Sequence, residues 1–201
     1  MCKKANKDCP RLIYQRAELK GILLDDTIDE EKYHDYKTFL EEDEWDEDDC
    51  DFFPSTQPLC VSYTSGATGP PKGIMRDHGG TAVALNYAMK NIFIVGEESV
   101  HFAACNMAWD VGHNFMVYGP LLRCAKTVIW EGDCLYPDPG VIWAVVEQHK
   151  VTNMYINIST LREVKQHDYD GELIKNAETD SLKTLCLVGE RGDPDTVNWI
   201  H

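Results

Sequence analysis

Positive charge is what this chain has least of. Nineteen lysines and arginines face 34 aspartates and glutamates across 201 residues, a formal net charge of −15. Such a balance leaves no basic stripe for a nucleic-acid surface. Long apolar runs are missing as well: none approaches the ~20 residues of a membrane span. Met1-Cys2-Lys3-Lys4-Ala5-Asn6-Lys7 lacks the apolar core of a signal peptide. These absences describe a soluble, intracellular chain, cytoplasmic or, with a targeting segment upstream, in the mitochondrial matrix. None of the eight cysteines forms a C-x-x-C pair, which argues against a disulfide scaffold or a zinc site. Scattered thiols, several of them inside apolar runs, read as buried groups in a reducing compartment. His78, His101 and His149 have no second ligand at metal spacing, so no metal ligand is assigned.

The negative charge is unevenly placed. Glu41 to Asp51 holds nine carboxylates and no base, and without that segment the chain is only mildly acidic. The spaced oxygen ligands and central glycine of a calcium loop are missing there, so the run reads as a solvated loop. No internal repeat or other low-complexity stretch occurs. A hydrophobic content of 43% supports the core of one domain or of a large part of one.

Residues 1–57 read as an upstream segment, with a short strand at Arg11-Leu12-Ile13-Tyr14 and a helix over Glu30 to Leu40. From residue 58 onward short apolar runs alternate with amphipathic ones. Strands are expected at Leu59–Tyr63, Val100–Ala104, Thr127–Trp130, Asn153–Ile158 and Leu185–Val188. Helices are expected at Thr81–Lys90, Phe115–Leu122, Val141–His149, Leu161–Gln166 and from Asp193 to His201, the last capped by Asp193-Pro194. This alternation predicts an α/β fold, a mostly parallel sheet with flanking helices. The closing helix looks like an element that begins rather than ends a domain, so the chain is expected to be an incomplete portion.

Tyr63-Thr64-Ser65-Gly66-Ala67-Thr68-Gly69-Pro70-Pro71-Lys72-Gly73 follows the first strand directly. Glycines let backbone N–H groups approach an anion, hydroxyls donate to phosphate oxygens, and lysine adds a mobile positive charge. The stretch therefore reads as a phosphate-holding loop at the carboxyl end of a strand, where open α/β sheets bind ligands. It is not a Walker loop: counted from Gly66, Pro71 takes the place of the second glycine, and Gly73 stands where Mg²⁺ needs a hydroxyl.

Thr64 to Gly73 resembles the T-S-G-[ST]-T-G-x-P-K-G signature of the AMP-forming, adenylate-forming enzymes. Three further stretches narrow the resemblance: Gly79-Gly80; Trp109-Asp110-Val111-Gly112-His113 followed by Tyr118-Gly119-Pro120-Leu121; and Val188-Gly189-Glu190-Arg191 with Asp193 and Trp199. Together they are similar to the short-chain acyl-CoA synthetases, of the propionyl and then the acetyl type, with Arg76 and Gly-Glu-Arg favouring the former. The resemblance implies a portion of the large N-terminal domain, residues 58–201 forming its central AMP-binding region. It implies small-molecule substrates, namely ATP with Mg²⁺, a short-chain carboxylate and CoA. The carboxylate attacks the α-phosphate to give acyl-AMP and pyrophosphate, and the CoA thiol then displaces AMP. By resemblance Thr64, Ser65, Gly66, Thr68, Gly69 and Lys72 hold the ATP phosphates. Gly189, Glu190 and Arg191 line the adenine and ribose side, and Trp109, Asp110, Val111 and Gly112 the acyl pocket and CoA side. It assigns no catalytic residue and no oligomeric state, and implies that the family's remaining motifs lie upstream of Met1 and beyond His201.

Departures from the pattern stand beside the matches. Ala67 replaces a hydroxyl donor, Asn106 and Ala108 replace Asp and Gly, and Asn157-Ile158-Ser159 replaces Ala-Pro-Thr. Asp110 puts a carboxylate beside the acyl pocket, where it is expected to repel a carboxylate substrate and to resist burial. These changes leave open a non-catalytic relative that retains at most nucleotide binding, or an acyl acceptor other than CoA.

Overall fold

A computed structural model describes residues 11–13, 33–36, 40–41, 51–64 and 69–201, and the chain divides into two units, Met1–Phe52 and Phe53–His201. In the first unit β1 (Arg11–Ile13) pairs in parallel with β2 (Tyr33–Asp35). The strand at Tyr33–Asp35 corrects the expectation of an unbroken helix over Glu30 to Leu40. Local helix propensity there yields to pairing with β1. Of the acidic run, residues 42–50 lie outside the described residues.

The second unit opens with a hairpin. β3 (Pro58–Thr64) and β4 (Lys72–Asp77) run antiparallel, with Thr64 opposite Lys72 and Ser62 opposite Ile74. The glycine loop is thus the tip of this hairpin and not the exit of a parallel strand, a correction to the sequence expectation. Lys72-Gly73-Ile74-Met75-Arg76-Asp77 lacks a clear polar-apolar alternation, which is why its strand was not legible. Helix α1 (His78–Asn91) follows at once, and Asp77 caps it by accepting the Gly80 N–H at 2.6 Å.

Next come β5 (Val100–Ala104), a helical run of α2 (Asp110–Gly112), a π-helical turn (His113–Tyr118) and α3 (Gly119–Leu122), then β6 (Lys126–Val128). They are followed by α4 (Val141–His149), β7 (Asn153–Asn157), α5 (Ile158–His167), α6 (Glu172–Lys175), β8 (Thr184–Val188) and α7 (Pro194–Ile200). Four of the strands form one parallel sheet in the order β6-β5-β7-β8. Asp193 caps α7 through the Thr196 N–H at 2.8 Å, with Pro194 in the first turn, as its sequence signals.

Strand alternation sends successive side chains to opposite faces. Phe102, Ala104, Met154 and Ile156 join Ile142, Trp143 and Val146 of α4 and Leu161 and Val164 of α5 in one core cluster. Ala103 and Tyr155, one residue out of phase, join Met89 and Phe93 at the end of α1 and Met116 of the π turn in the other. A sheet covered on both faces is the normal condition of parallel strands. It explains why β5 and β7 read as near-continuous apolar runs.

One polar residue is caught inside. His101 is fully buried on β5 and stands edge-on to Phe93 at 6.2 Å; neither ring nitrogen makes a hydrogen bond of good geometry, and the Phe115 backbone offers only a weak contact that opposes the effect of burial. Burial lowers its pKa from the ordinary 6.5 to about 4. Above pH 6.5 both folded and unfolded chains carry it neutral. As pH falls from 6.5 towards 4 the unfolded chain takes up the proton first, so stability drops across that window by about 3 kcal/mol. Urea denaturation should show this loss in the unaltered chain and lack it in His101→Leu; equal pH slopes in both would contradict the assignment.

Candidate functional site

Ligand sites in open α/β sheets form where loops leave the carboxyl ends of the strands, and such a cavity is present. About 700 Å³ in volume, it lies beyond β5, β6 and β7 and is lined by the segment Ala104–Ala108, by Ile129–Cys134, and by Asn157, Thr160 and Glu163. Its wall combines the apolar Met107, Met116 and Trp130 with carboxylates from Glu131, Asp133 and Glu163. Burial raises the pKa of the Cys105 thiol, and burial followed by Glu163 and Asp133 does the same for Cys134. Both are poor nucleophiles at neutral pH as a result. The described cysteines are free thiols, but none is fully buried: Cys60 and Cys124 are exposed and the rest intermediate, a correction to the expectation of buried thiols. Cys2, Cys9 and Cys50 lie outside the described residues.

Asn157 marks the junction of β7 with β8. Its side-chain oxygen is buried without a partner and sits 3.6 Å from where a side chain on Gly189 would begin. Gly189 itself has φ +97, a conformation that L side chains rarely adopt. The sequence marked Asn157 only as a departure; its lack of a partner is visible in three dimensions alone. Glu190 and Arg191 follow at the exit of β8, both exposed. Glu190 accepts from Arg162 Nη1 at 2.7 Å, and Asp193 accepts from Arg162 Nε at 2.7 Å. One guanidinium from α5 therefore spans the two ends of the turn that carries Gly189-Glu190-Arg191. It holds the Asp193 carboxyl well below the usual carboxylate range, with help from the Thr196 N–H.

The hairpin carries the described residues that flank the glycine stretch, and none of them lines the cavity. Thr64 and Lys72 are directly opposed across the ladder and both are exposed; Gly69 lies in the connecting loop, whose Ser65, Gly66, Ala67 and Thr68 are outside the described residues. Opposed residues in a ladder project from the same face. Thr64 and Lys72 accordingly present a hydroxyl and an ammonium side by side, donors suited to phosphate oxygens.

Trp109, Asp110, Val111 and Gly112 begin the helical run after β5. None of them lines the cavity, whereas Asn106, Met107 and Ala108 just before them do. Trp109 is 42% exposed, and Val111 packs at the edge of the core cluster with Phe93 and Met116. Gly112 is required by space: a Cβ there would stand 2.6 Å from the Asn106 carbonyl oxygen. Asp110 turns towards the hairpin. Ser62 Oγ donates to its Oδ1 at 2.7 Å and Arg76 Nη2 donates to its Oδ2 at 2.7 Å. The carboxylate expected to repel substrate is compensated on both oxygens. No group of three or more histidines, cysteines or carboxylates that could hold a metal occurs among the described residues. Nor, among them, is any helix long and apolar enough to cross a membrane.

A family model described as "AMP-binding enzyme" matches residues 4–201. The chain is 39% identical over 147 residues to an acyl-CoA synthetase short-chain family member B, mitochondrial, of Dictyostelium discoideum, covering 73% of this chain and 21% of that protein. It is 41% identical over 146 residues to a propionate–CoA ligase of Salmonella typhimurium, covering 73% and 23%. With acyl-CoA synthetase short-chain family member 3, mitochondrial, of Bos taurus it shares 38% identity over 164 residues, covering 78% and 24%. The chain thus spans about a quarter of the length of these relatives.

Removing the guanidinium tests the electrostatics directly. In Arg162→Ala the Asp193 carboxyl should titrate higher, back towards its ordinary range, as followed by side-chain carboxyl NMR. An unmoved titration would show that Arg162 is not the group that holds it down.

Proposed function

Because the chain belongs to the AMP-binding enzyme family, we propose that it is a portion of an acid–thiol ligase that activates a short-chain carboxylate, propionate or acetate, through acyl-AMP to acyl-CoA. The observation that carries this reading is the opposition of Thr64 and Lys72 at the mouth of the glycine loop. It supports a grip on the β- and γ-phosphates by Thr64, Ser65, Gly66, Thr68, Gly69 and Lys72, which then retain the leaving pyrophosphate. Mg²⁺ would arrive with the triphosphate, held largely by phosphate oxygens and water. Catalysis of this kind is mostly positioning and neutralisation of charge on the phosphate oxygens.

On this reading Gly189, Glu190 and Arg191 lie along the adenine and ribose, and the Gly189 turn held by Arg162 is preorganised for them. The segment Trp109, Asp110, Val111 and Gly112 borders the acyl and CoA side, with the exposed Trp109 ring limiting chain length, while Asp110 turns to the hairpin and Val111 to the core. The pairing of Asp110 with Arg76 and Ser62 removes the electrostatic objection to a carboxylate substrate there. The name of the propionate–CoA ligase supports propionate as first choice, and the word mitochondrial in two of the names supports an intracellular setting. A second reading, a relative that binds nucleotide without turnover, is favoured by Asn106 and Ala108, which line the cavity in place of the family's Asp and Gly.

Titration of the 201-residue chain with ATP separates these readings from a chain that has lost the site. Saturable binding is expected, weakened roughly tenfold or more in Lys72→Ala by loss of one charge-assisted contact. ATP–pyrophosphate exchange by the chain alone should stay near background. Binding indifferent to Lys72 would contradict the phosphate grip, and exchange at the rate of a complete synthetase would contradict the incompleteness of the site.

A further inference from the structure

The Asp110 carboxylate does more than avoid an unfavourable charge. Ser62 and Thr64 are two residues apart on β3, and Lys72, Ile74 and Arg76 alternate along β4, so all five side chains project from one face of the hairpin. Asp110 bonds the first and last of them, Ser62 and Arg76, each at 2.7 Å. The face it grips is the one that carries Thr64 and Lys72. Two residues of strand, roughly 7 Å, separate Ser62 from Thr64, so movement of one is felt at the other.

The hairpin needs such a fixture. Most residues of β3 and β4 are exposed, including Val61, Tyr63, Ile74 and Met75, and a two-stranded ribbon is marginal by itself. Asp110 in turn sits on a firm base: it opens the helical run that continues into the buried Gly112, Asn114 and Met116, and its charge suits a helix N-terminus. Two residues before it, Ala108 lines the cavity at the carboxyl ends of the strands. The carboxylate joins the two halves of the site, hairpin and cavity wall, across sequence separations of 48 and 34 residues.

We propose that Asp110 is a positioning residue that clamps the phosphate-holding face of the β3–β4 hairpin, through Ser62 and Arg76, at a fixed distance from the cavity wall. The proposal rests on the phosphate-binding reading of the glycine loop. With side chains 37% and 29% exposed, the Arg76–Asp110 pair contributes little to global stability. Its effect is on geometry, and the fold around Gly112 and Met116 holds without it.

A double-mutant cycle on the 201-residue chain tests this, with ATP affinity by calorimetry as one readout and thermal midpoint as the other. Asp110→Ala and Arg76→Ala should each weaken ATP binding by roughly tenfold, and the double variant should be no worse than either single one. Charge reversal, Asp110→Arg with Arg76→Asp, should recover part of the affinity, while midpoints stay close to that of the unaltered chain. Should either alanine variant fail to fold, the near-isosteric Asp110→Asn carries the test, with an intermediate loss expected. Saturable binding in the unaltered chain that ignores all of these changes would overturn the clamp. So would additive losses without rescue, or losses that simply track the thermal midpoint. Absence of saturable ATP binding in the unaltered chain would instead overturn the reading of the loop itself, and the clamp with it.

Discussion

A parallel sheet has to be covered on both faces, and most of this molecule follows from meeting that requirement. α4 and α5 cover one side of β5 and β7 through Trp143, Val146 and Leu161. The end of α1 and the π-helical turn cover the other through Met89, Phe93 and Met116. With both faces occupied, only the strand ends are left for chemistry. Cavity, Asn157, Gly189 turn and the segment ending in Trp109 all gather at the carboxyl ends, away from the faces that the helices cover.

The hairpin is the exception to that plan. Its strands lie outside the parallel sheet, so its relation to the cavity has to be set by side chains rather than by a shared ladder. Charge fixes a loop segment in two places. Arg162 reaches from α5 to Glu190 and Asp193 and shapes the turn after β8; Arg76 reaches from β4 to Asp110 and ties the hairpin to the run after β5. In an acidic chain with few bases, two of the arginines are committed to holding the segments that follow β5 and β8.

How much of this the sequence revealed depended on the range of the interactions involved. Elements decided by local pattern were legible: Val141–His149 matched to the residue, and Asp193-Pro194 announced the cap of α7. The strands β5, β7 and β8 were legible too, as apolar runs; a strand without a pattern of its own was not. Lys72–Asp77 became a strand because β3 lies beside it, and the glycine loop became a hairpin tip for the same reason. The helical run was expected only from Phe115, since Gly112 is a poor helix former; close packing against Asn106 and Met107 places it there. Among the candidate site residues, Thr64, Lys72 and Gly189-Glu190-Arg191 stood out in the sequence through the motifs that carry the resemblance. The role of Asp110 could not, because its partners are 34 and 48 residues away and its sequence context argued for repulsion. Asn157 likewise stood out in sequence only as a departure, and its unpaired oxygen depends on where Gly189 lies.

The central claim is that hairpin and sheet exits form one nucleotide site. Amide chemical-shift mapping during an ATP titration of the 201-residue chain tests it most directly. The account predicts that the amides of Thr64, Lys72, Gly189 and Glu190 shift together and saturate at a single affinity. Shifts confined to the hairpin or to the Gly189 turn, or two groups saturating at different concentrations, would contradict it.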